Sequence, residues 1–249
     1  MNLVVGRNSF ISNIFYKWPD TVIISHNEIE NIDLLKFNSL YVLSFPNKYY
    51  YENENIFDFE KKIFSKFEEK KITYFSTSKV YKNKLKCNEL DLVSPQSYYA
   101  DNKLSIEELI PNYSKNHHIF RISNVFTKNN YSRNTFFSQL MDNLTRSNII
   151  DFDINEKSIK DFISLNSLGE IIYKMRHIND IGLFNVGSEI GLTIEEVLNY
   201  FLSKKKFENA KKRFSNKIVS QTLDISKLSK LININSKDIH QKTIEELKK

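Results

Sequence analysis

The sequence predicts an α/β fold, in which a parallel sheet carries helices on both faces and a smaller C-terminal domain follows. Three observations indicate it. Short apolar runs alternate with segments of helical periodicity over the first half of the chain. Small or polar residues follow several of these runs directly. The regular alternation stops at about Phe126.

The predicted elements follow in order along the first half. Asn2–Val5 is an apolar run that ends at Gly6, and residues 10–15 then carry apolar side chains at helical spacing. Further strands are predicted at Thr21–Ile24, Leu40–Leu43, Ile72–Ser76 and Ile119–Ile122, and helices at Asn55–Lys71 and from Pro95 to about Ile110. Since ligands of parallel sheets bind beyond the carboxyl ends of the strands, the residues after each strand are the candidates for a site.

The second half has a different pattern. Residues 127–158 are polar and irregular, with one helix predicted at Phe136–Leu144, and Leu183–Val186 is a short strand. Thr193 followed by Glu196 is a capping box that opens a helix. The basic run Lys204–Arg213 is predicted as a solvated helix face, and Thr243–Lys249 as a closing helix.

Composition and charge exclude several classes of function. The net charge is +6, but lysines are spread among acidic residues, which favours a small anionic ligand over a nucleic acid. The apolar runs are too short to span a bilayer, and no metal site is predicted. Met1 leads straight into a strand without a signal peptide, and the single Cys87 cannot form an internal disulfide. We therefore expect a cytoplasmic protein without membrane segments.

A tyrosine and a lysine four residues apart carry the predicted chemistry. Tyr99 and Lys103 share one face of the predicted 95–110 helix, and Thr77 directly follows the strand predicted before it. A nearby ammonium favours the phenolate of a tyrosine, and a hydroxyl can donate to a substrate oxygen. Together they can move a proton to or from a carbonyl oxygen while a nicotinamide exchanges hydride with the carbon. The alternative is a solvated Tyr–Lys pair without function.

The order of motifs resembles the extended short-chain dehydrogenase/reductases, the group that contains sugar-nucleotide epimerases, dehydratases and reductases. The match runs nearly from end to end. The segments that carry it are Asn2–Phe15, Tyr74–Tyr81, Ser94–Glu107, Arg121–Phe126, Lys160–Ile163, Phe184–Ser188 and Leu223–Leu228. Each motif is weak alone, but their shared order is specific.

The resemblance implies that the chain forms two domains with different ligands. Residues 1–126 and 159–183 would form a Rossmann-like NAD(P)-binding domain, and residues 127–158 and 184–249 a domain that binds a nucleotide-diphosphate sugar. A homodimer is implied, through the helices Asn55–Lys71 and Tyr98–Ile110.

The resemblance also implies roles for individual residues. Tyr99 would be the catalytic acid or base, with Lys103 as its partner and Thr77 as the assisting hydroxyl. Ser78 and Asn124 match substrate-contacting positions. Arg213 lies where the family often has an arginine near the diphosphate, although one more charge on a basic helix explains it equally well. Asp161 and Phe162 are predicted to be structural.

The cofactor-binding residues depart from the family pattern. They are predicted as Gly6, Arg7, Ser9, Phe10, Ile11, Ser25, His26 and Ser44, together with Tyr99 and Lys103. Ser9 and Ser12 replace two glycines of the family's phosphate loop. No acid directly follows the second strand, which favours NADP over NAD, although His26 equally fits a surface position.

Two further positions narrow the reaction. Family members that eliminate water place Asp and Glu after the threonine, whereas this chain has Ser78 and Lys79. The sequence therefore predicts an NAD(P)H-dependent reductase of a nucleotide-linked 4-keto-6-deoxy sugar in surface polysaccharide synthesis. The alternatives are a nucleotide-sugar C4 epimerase with retained NAD and a non-catalytic protein that binds NAD(P) or a nucleotide sugar.

Overall fold

A computed structural model describes residues 1–43, 45–127, 135–202 and 209–248. The chain divides into two compact units. Unit 1 comprises residues 1–82, 89–122 and 169–186, and unit 2 comprises residues 83–88, 123–168 and 187–249. Residues 159–168 thus lie in unit 2, and residues 184–186 lie in unit 1.

The described strands, in chain order, are β1 (Asn2–Val5), β2 (Thr21–Ile24), β3 (Ser39–Val42), β4 (Lys71–Thr77), β5 (His117–Ile122), β6 (Asn124–Phe126), β7 (Ile149–Phe152), β8 (Ile159–Ser164), β9 (Gly182–Val186), β10 (Gly191–Thr193) and β11 (Lys211–Phe214). The described α-helices are α1 (Asp58–Ser65), α2 (Tyr98–Leu109), α3 (Phe136–Ser147), α4 (Leu165–Met175), α5 (Ile194–Leu202), α6 (Ser226–Ile232) and α7 (Ser236–Lys248).

Unit 1 is built on a six-stranded parallel sheet in the order β2-β1-β3-β4-β5-β9. The predicted fold class is confirmed. A doubly wound sheet of this type usually has two strands beyond the first one, whereas β2 alone lies there among the described strands. The segment between β2 and β3 forms short 3-10 helices, His26–Asn31 and Leu34–Lys36. It is too short for another strand and helix.

The apolar faces of α1 and α2 help to form the core of unit 1. Ile63 and Phe64 of α1 and Ile106 of α2 are buried in one cluster with the sheet. The helix predicted at Asn55–Lys71 is shorter than expected. It begins after Phe57, whose φ of 51° is left-handed and breaks the helical path, and it ends at Ser65.

A buried ion pair fixes α2 to the sheet of unit 1. Arg121 of β5 donates to Glu107 of α2 through Nε at 3.0 Å and Nη2 at 2.7 Å, and the Ser76 hydroxyl also donates to Glu107. The guanidinium lies over the Tyr81 ring, and the Tyr81 hydroxyl donates to Asn185 at 2.8 Å. Motif residues from four segments therefore form one network in the core.

Unit 2 contains a three-stranded sheet in the order β10-β8-β6 and a separate parallel pair of β7 and β11. Helices α3, α5 and α7 contribute to its apolar core. Thr193 caps α5 as predicted: its hydroxyl accepts from the Glu196 amide at 3.1 Å, and Glu196 accepts from the Thr193 amide at 2.7 Å. The helix predicted over Lys204–Arg213 is wrong at its end, since residues 211–214 form β11 beside β7.

Asp161 organises unit 2 from a fully enclosed position on β8. Its carboxylate accepts from the amides of Ser188, Glu189 and Leu223 at 2.8 to 3.1 Å, and from the Ser188 hydroxyl at 3.0 Å. A Cβ at Gly187 would lie 2.6 Å from Asp161 Oδ2, so this packing excludes any larger residue there. The surroundings of Asp161 are those of a structural residue, as the sequence predicts.

None of the helices in the described ranges is long and apolar enough to cross a membrane. In those same ranges, no cluster of three or more His, Cys, Asp or Glu side chains is arranged to hold a metal ion.

Candidate functional site

The hydroxyls of Thr77 and Tyr99 meet in unit 1 at the carboxyl end of β4. Thr77 is the last residue of β4, and Tyr99 is the second residue of α2. Ser97 starts that helix, because its hydroxyl accepts from the Ala100 amide at 3.3 Å. The Thr77 side chain lies near enough to the Tyr99 hydroxyl to lower the pKa of Tyr99. The structure therefore brings together two of the three predicted catalytic groups.

Aromatic rings surround the predicted acid-base residue. The ring of Tyr50 stacks on that of Tyr99, with centroids 5.0 Å apart and an interplanar angle of 15°, and Phe45 contacts it edge-on at 5.2 Å. The Lys79 ammonium lies 5.7 Å from the Tyr99 ring centroid. Burial and the neighbouring Tyr50 raise the pKa of Tyr99 above its ordinary value, and the nearby Thr77 side chain opposes this. In the protein without cofactor, Tyr99 is therefore held as a neutral phenol, which can donate a proton.

Lys103, the third predicted catalytic group, lies deeper than its spacing from Tyr99 indicates. Its side chain is 4% exposed, and Nζ donates to the Phe75 carbonyl oxygen at 2.7 Å. The ammonium also faces the rings of Phe45 at 4.5 Å and Tyr74 at 4.7 Å. Burial lowers the pKa of Lys103 to about 7, an effect that the carboxylates of Glu60 and Glu107 partly offset. Lys103 thus changes charge near neutral pH.

The phosphate-loop region keeps its turn without two of the family's glycines. Gly6 has a φ of 128°, and its amide and that of Arg7 both donate to the Ile24 carbonyl. Ser9 has an extended φ of −76° and caps the 3-10 helix Phe10–Phe15, and its hydroxyl accepts from the Ile11 amide at 3.4 Å. The Ser12 side chain is buried and donates to the Arg7 carbonyl at 3.0 Å. Of these three positions only Gly6 has a positive φ, so serine at positions 9 and 12 is compatible with the turn of the loop.

An acid absent from the sequence prediction lies at the end of β2. Glu28 accepts from the Ser25 amide at 2.7 Å and pairs with Arg7 at 3.0 Å. Arg7 also donates to the Ile23 carbonyl through Nε and Nη2. The expectation of NADP depended on the absence of an acid directly after β2. Glu28, three residues after Ser25, places a carboxylate in that region. The pattern Ser25-x-x-Glu28 is a capping box, the signal by which the sequence could have shown it.

The remaining predicted residues of unit 1 lie in varied surroundings. Phe10 and Ile11 are partly exposed in the first turn of the 3-10 helix, and His26 is exposed at the start of the next one, against the edge of the Phe59 ring. Ser78 is buried directly after Thr77. Ser44 lies outside the described residues.

Two predicted substrate residues belong to unit 2. The Asn124 side chain donates to the Asp161 carbonyl at 2.9 Å, which anchors β6 against β8. Arg213 is exposed on β11, where its register partner on β7 is Asp151. Both stay predictions as substrate contacts.

Residues 65–153 match the family model described as the RmlD substrate binding domain. That span includes Thr77, Tyr99, Lys103 and Asn124. A search of curated proteins finds no match.

Solved structures share the fold over the whole chain. A UDP-glucuronic acid 4-epimerase from Bacillus cereus in complex with NAD is 20% identical, with a TM-score of 0.78 over 100% of this chain and 99% of that one. A UDP-glucose 4-epimerase from Thermotoga maritima, with UDP-glucose, is 14% identical, with a TM-score of 0.79 over 99% and 98%. The NAD-dependent NDP-hexosamine 5,6-dehydratase TunA is 15% identical, with a TM-score of 0.77 over 98% and 96%. The resemblance to sugar-nucleotide enzymes of the short-chain dehydrogenase/reductase type is confirmed.

Proposed function

We propose that this protein is a nicotinamide-dependent enzyme that reduces the C4 carbonyl of a nucleotide-linked 4-keto-6-deoxy sugar. The observation that carries the proposal is the position of Thr77, the last residue of β4, near the Tyr99 phenol at the carboxyl end of the sheet. It places an acid and an orienting hydroxyl together where a parallel sheet binds its ligand. The matching family model and the NAD- and UDP-sugar-bound neighbours support the substrate class.

The side chains suggest how the proton moves. When bound, the nicotinamide supplies the hydride that C4 receives. Tyr99, held neutral, gives its proton to the C4 oxygen, and the Thr77 hydroxyl donates a hydrogen bond to the same oxygen. As a cation, Lys103 favours the phenolate that Tyr99 becomes and can hold the ribose hydroxyls of the cofactor.

The cofactor that we propose is NAD rather than the NADP expected from the sequence. Glu28 lies at the end of β2, where a carboxylate binds a ribose 2′-hydroxyl and repels a 2′-phosphate. The Bacillus cereus neighbour also carries NAD. Replacing Glu28 with Gln should raise the affinity for NADPH relative to NADH, which titration calorimetry measures.

A C4 epimerase with retained NAD is the second candidate. Two of the structural neighbours named above are 4-epimerases. Epimerisation uses the same Thr77 and Tyr99 groups, but the hydride returns to the substrate. Dehydration is disfavoured, because Ser78 and Lys79 cannot supply a pair of carboxylates.

Cofactor stoichiometry distinguishes the candidates. Purified protein with NADH or NADPH and a nucleotide-linked 4-keto-6-deoxy sugar should oxidise one cofactor for each product molecule. Product without net loss of reduced cofactor would favour the epimerase. If no nicotinamide binds at millimolar concentration, the non-catalytic binding protein is the correct alternative.

Two further proposals concern context. A homodimer through the 55–71 and 98–110 segments is supported by Ile56 and Tyr98, which are 56% and 51% exposed. Sedimentation of the Ile56→Asp variant tests it, since a charge there should dissociate the dimer.

Placement in the cytoplasm rests on the single buried Cys87 and is tested by fractionation of the source cells.

A further inference from the structure

Two buried carboxylates of unit 1 act electrostatically on Lys103, and they differ in how fully they are neutralised. Glu107 accepts three hydrogen bonds from Arg121, two of them from Nε, and one from Ser76. Because the guanidinium neutralises Glu107 directly, this carboxylate has little negative charge left to offer Lys103.

Glu60 of α1 has no such partner. It is fully buried, and its Oε2 accepts from the Tyr49 hydroxyl at 3.0 Å, while Oε1 has no hydrogen-bond partner among the described residues. No ion pair within 4.0 Å involves Glu60 in those residues. Burial raises the pKa of Glu60, and the charge of Lys103 opposes this; Glu60 in turn favours the charged form of Lys103. Both groups belong to one buried cluster, because the ring of Tyr49, which donates to Glu60, contacts Phe45, and the Lys103 ammonium lies over the Phe45 ring. The buried charges thus balance as Arg121 with Glu107 and Lys103 with Glu60.

A carboxylate in this position is costly for the fold. Burying an incompletely hydrogen-bonded carboxylate in an apolar core destabilises a protein, and a neutral side chain of the same shape would avoid that cost. Glu60 therefore contributes little to folding beyond the space it fills. Its effect is the negative charge that it places in the core beside the predicted catalytic lysine.

We propose that Glu60 is a positioning residue that keeps Lys103 protonated, so that Lys103 is a cation when Tyr99 transfers its proton. This rests on the proposed function of Tyr99 and Lys103. The other ionisable groups around Lys103 are Tyr74 of β4, and Glu107 and Tyr99 of α2; Tyr49 faces Glu60. Phenols stay neutral at neutral pH and Glu107 is paired with Arg121, so Glu60 is the group that sets the charge of Lys103.

The test measures the pKa of Lys103 without requiring turnover. Lysines labelled with ¹³C at Cε are titrated by NMR, and the Lys103 signal is assigned by its loss in Lys103→Arg. In Glu60→Gln the pKa of Lys103 should fall by about one unit, because burial then acts without a compensating charge. Glu68→Gln, an exposed carboxylate that follows α1, is the matched control and should leave the Lys103 signal unchanged.

A second variant guards against misfolding. Tyr49→Phe removes one hydrogen bond to the Glu60 carboxylate and should lower the pKa of Lys103 in the same direction, by less. A Lys103 pKa that is unchanged in folded Glu60→Gln, or that falls equally in Glu68→Gln, would overturn the proposal.

Turnover gives an independent readout. The fall of kcat at high pH should begin about one pH unit lower in Glu60→Gln, with KM little changed. A purely structural role would instead lower the unfolding temperature without moving the pH profile. If the wild type binds no nicotinamide, the proposed function fails while the NMR result still decides the coupling between Glu60 and Lys103.

Discussion

Asp161 in unit 2 and Lys103 in unit 1 are both buried ionisable residues of the family motifs, yet their surroundings are opposite. Asp161 receives four hydrogen bonds from three residues that follow it in the chain. Lys103 has one oxygen acceptor, and the rest of its ammonium faces aromatic rings. Both oxygens of the Asp161 carboxylate accept hydrogen bonds from the protein, whereas the Lys103 ammonium donates to one oxygen atom.

This difference separates residues that build the fold from residues that are prepared for chemistry. Burial shifts both pKa values: it raises that of Asp161 to about 6, against the hydrogen bonds that the carboxylate accepts, and lowers that of Lys103 to about 7. The two residues differ in their partners, because the hydrogen bonds of Asp161 hold segments of unit 2 together, whereas Lys103 has few partners and can respond to what binds beside it. The experiments below test this comparison, and the last of them supplies a reference outside it.

The largest effect is expected at the acid-base group. Tyr99→Phe should lower turnover about 10²- to 10⁴-fold, because it removes the proton donor while keeping the ring that stacks on Tyr50. Cofactor oxidation measures it, and Tyr98→Phe, at the exposed neighbouring tyrosine, is the control. Equal losses in the two variants would contradict the assignment.

Asp161→Asn should lower the free energy of unfolding by about 2–3 kcal/mol. The asparagine side chain has the same shape as aspartate, but one carboxylate oxygen is replaced by an NH₂ group. That group cannot accept hydrogen bonds from the backbone amides that donate to Asp161. Urea unfolding measures the loss, with the exposed Asp153→Asn as control. An unchanged midpoint would show that Asp161 does not organise unit 2.

Lys103 should make stability depend on pH with a defined sign. Its pKa is about 7 in the folded protein, whereas an ordinary exposed lysine has a pKa of 10.5. Between these values the unfolded chain binds more protons than the folded one, so stability rises with pH across that window. Lys103→Met should remove this rise. Urea unfolding between about pH 6 and pH 9 checks it.

The smallest effect is expected at a helix cap that belongs to neither class. Thr193→Ala should cost about 1 kcal/mol, since it leaves the Glu196 amide without its acceptor. Chemical unfolding measures it, with Thr145→Ala on the exposed side of α3 for comparison. If Thr193→Ala lowered the free energy of unfolding as much as Asp161→Asn, an exposed helix cap and a buried carboxylate could not be distinguished by their contributions to stability.

Local pattern was enough to predict most of unit 1. The strands Asn2–Val5 and Thr21–Ile24 agree with the structure at both ends, because a buried parallel strand is a nearly continuous apolar run. The Asn55–Lys71 helix was predicted too long, since periodicity does not reveal a left-handed residue such as Phe57.

The sequence was enough to predict which residues form the candidate site, but not how deeply Lys103 is buried. Helical spacing places Tyr99 and Lys103 on one face, but it does not show that Phe45 covers Lys103 or that the ammonium turns toward the Phe75 carbonyl. Nothing in the sequence of the Asn55–Lys71 segment distinguishes Glu60 from the other polar residues of that segment. Its burial beside Lys103 depends on contacts between residues far apart in the chain, which no local pattern contains.

The loop after β1 shows which of the family's glycines can be replaced by serine without strain in the backbone. A glycine codon becomes a serine codon by one G-to-A change, and this Lys-, Ile- and Asn-rich sequence indicates a strong drift toward A and T. Of the three family glycines, the one retained is Gly6, with its φ of 128°, while the serine at position 9 has an ordinary extended backbone. A small L-residue therefore fits at position 9, whereas position 6 needs a backbone conformation that glycine alone adopts easily.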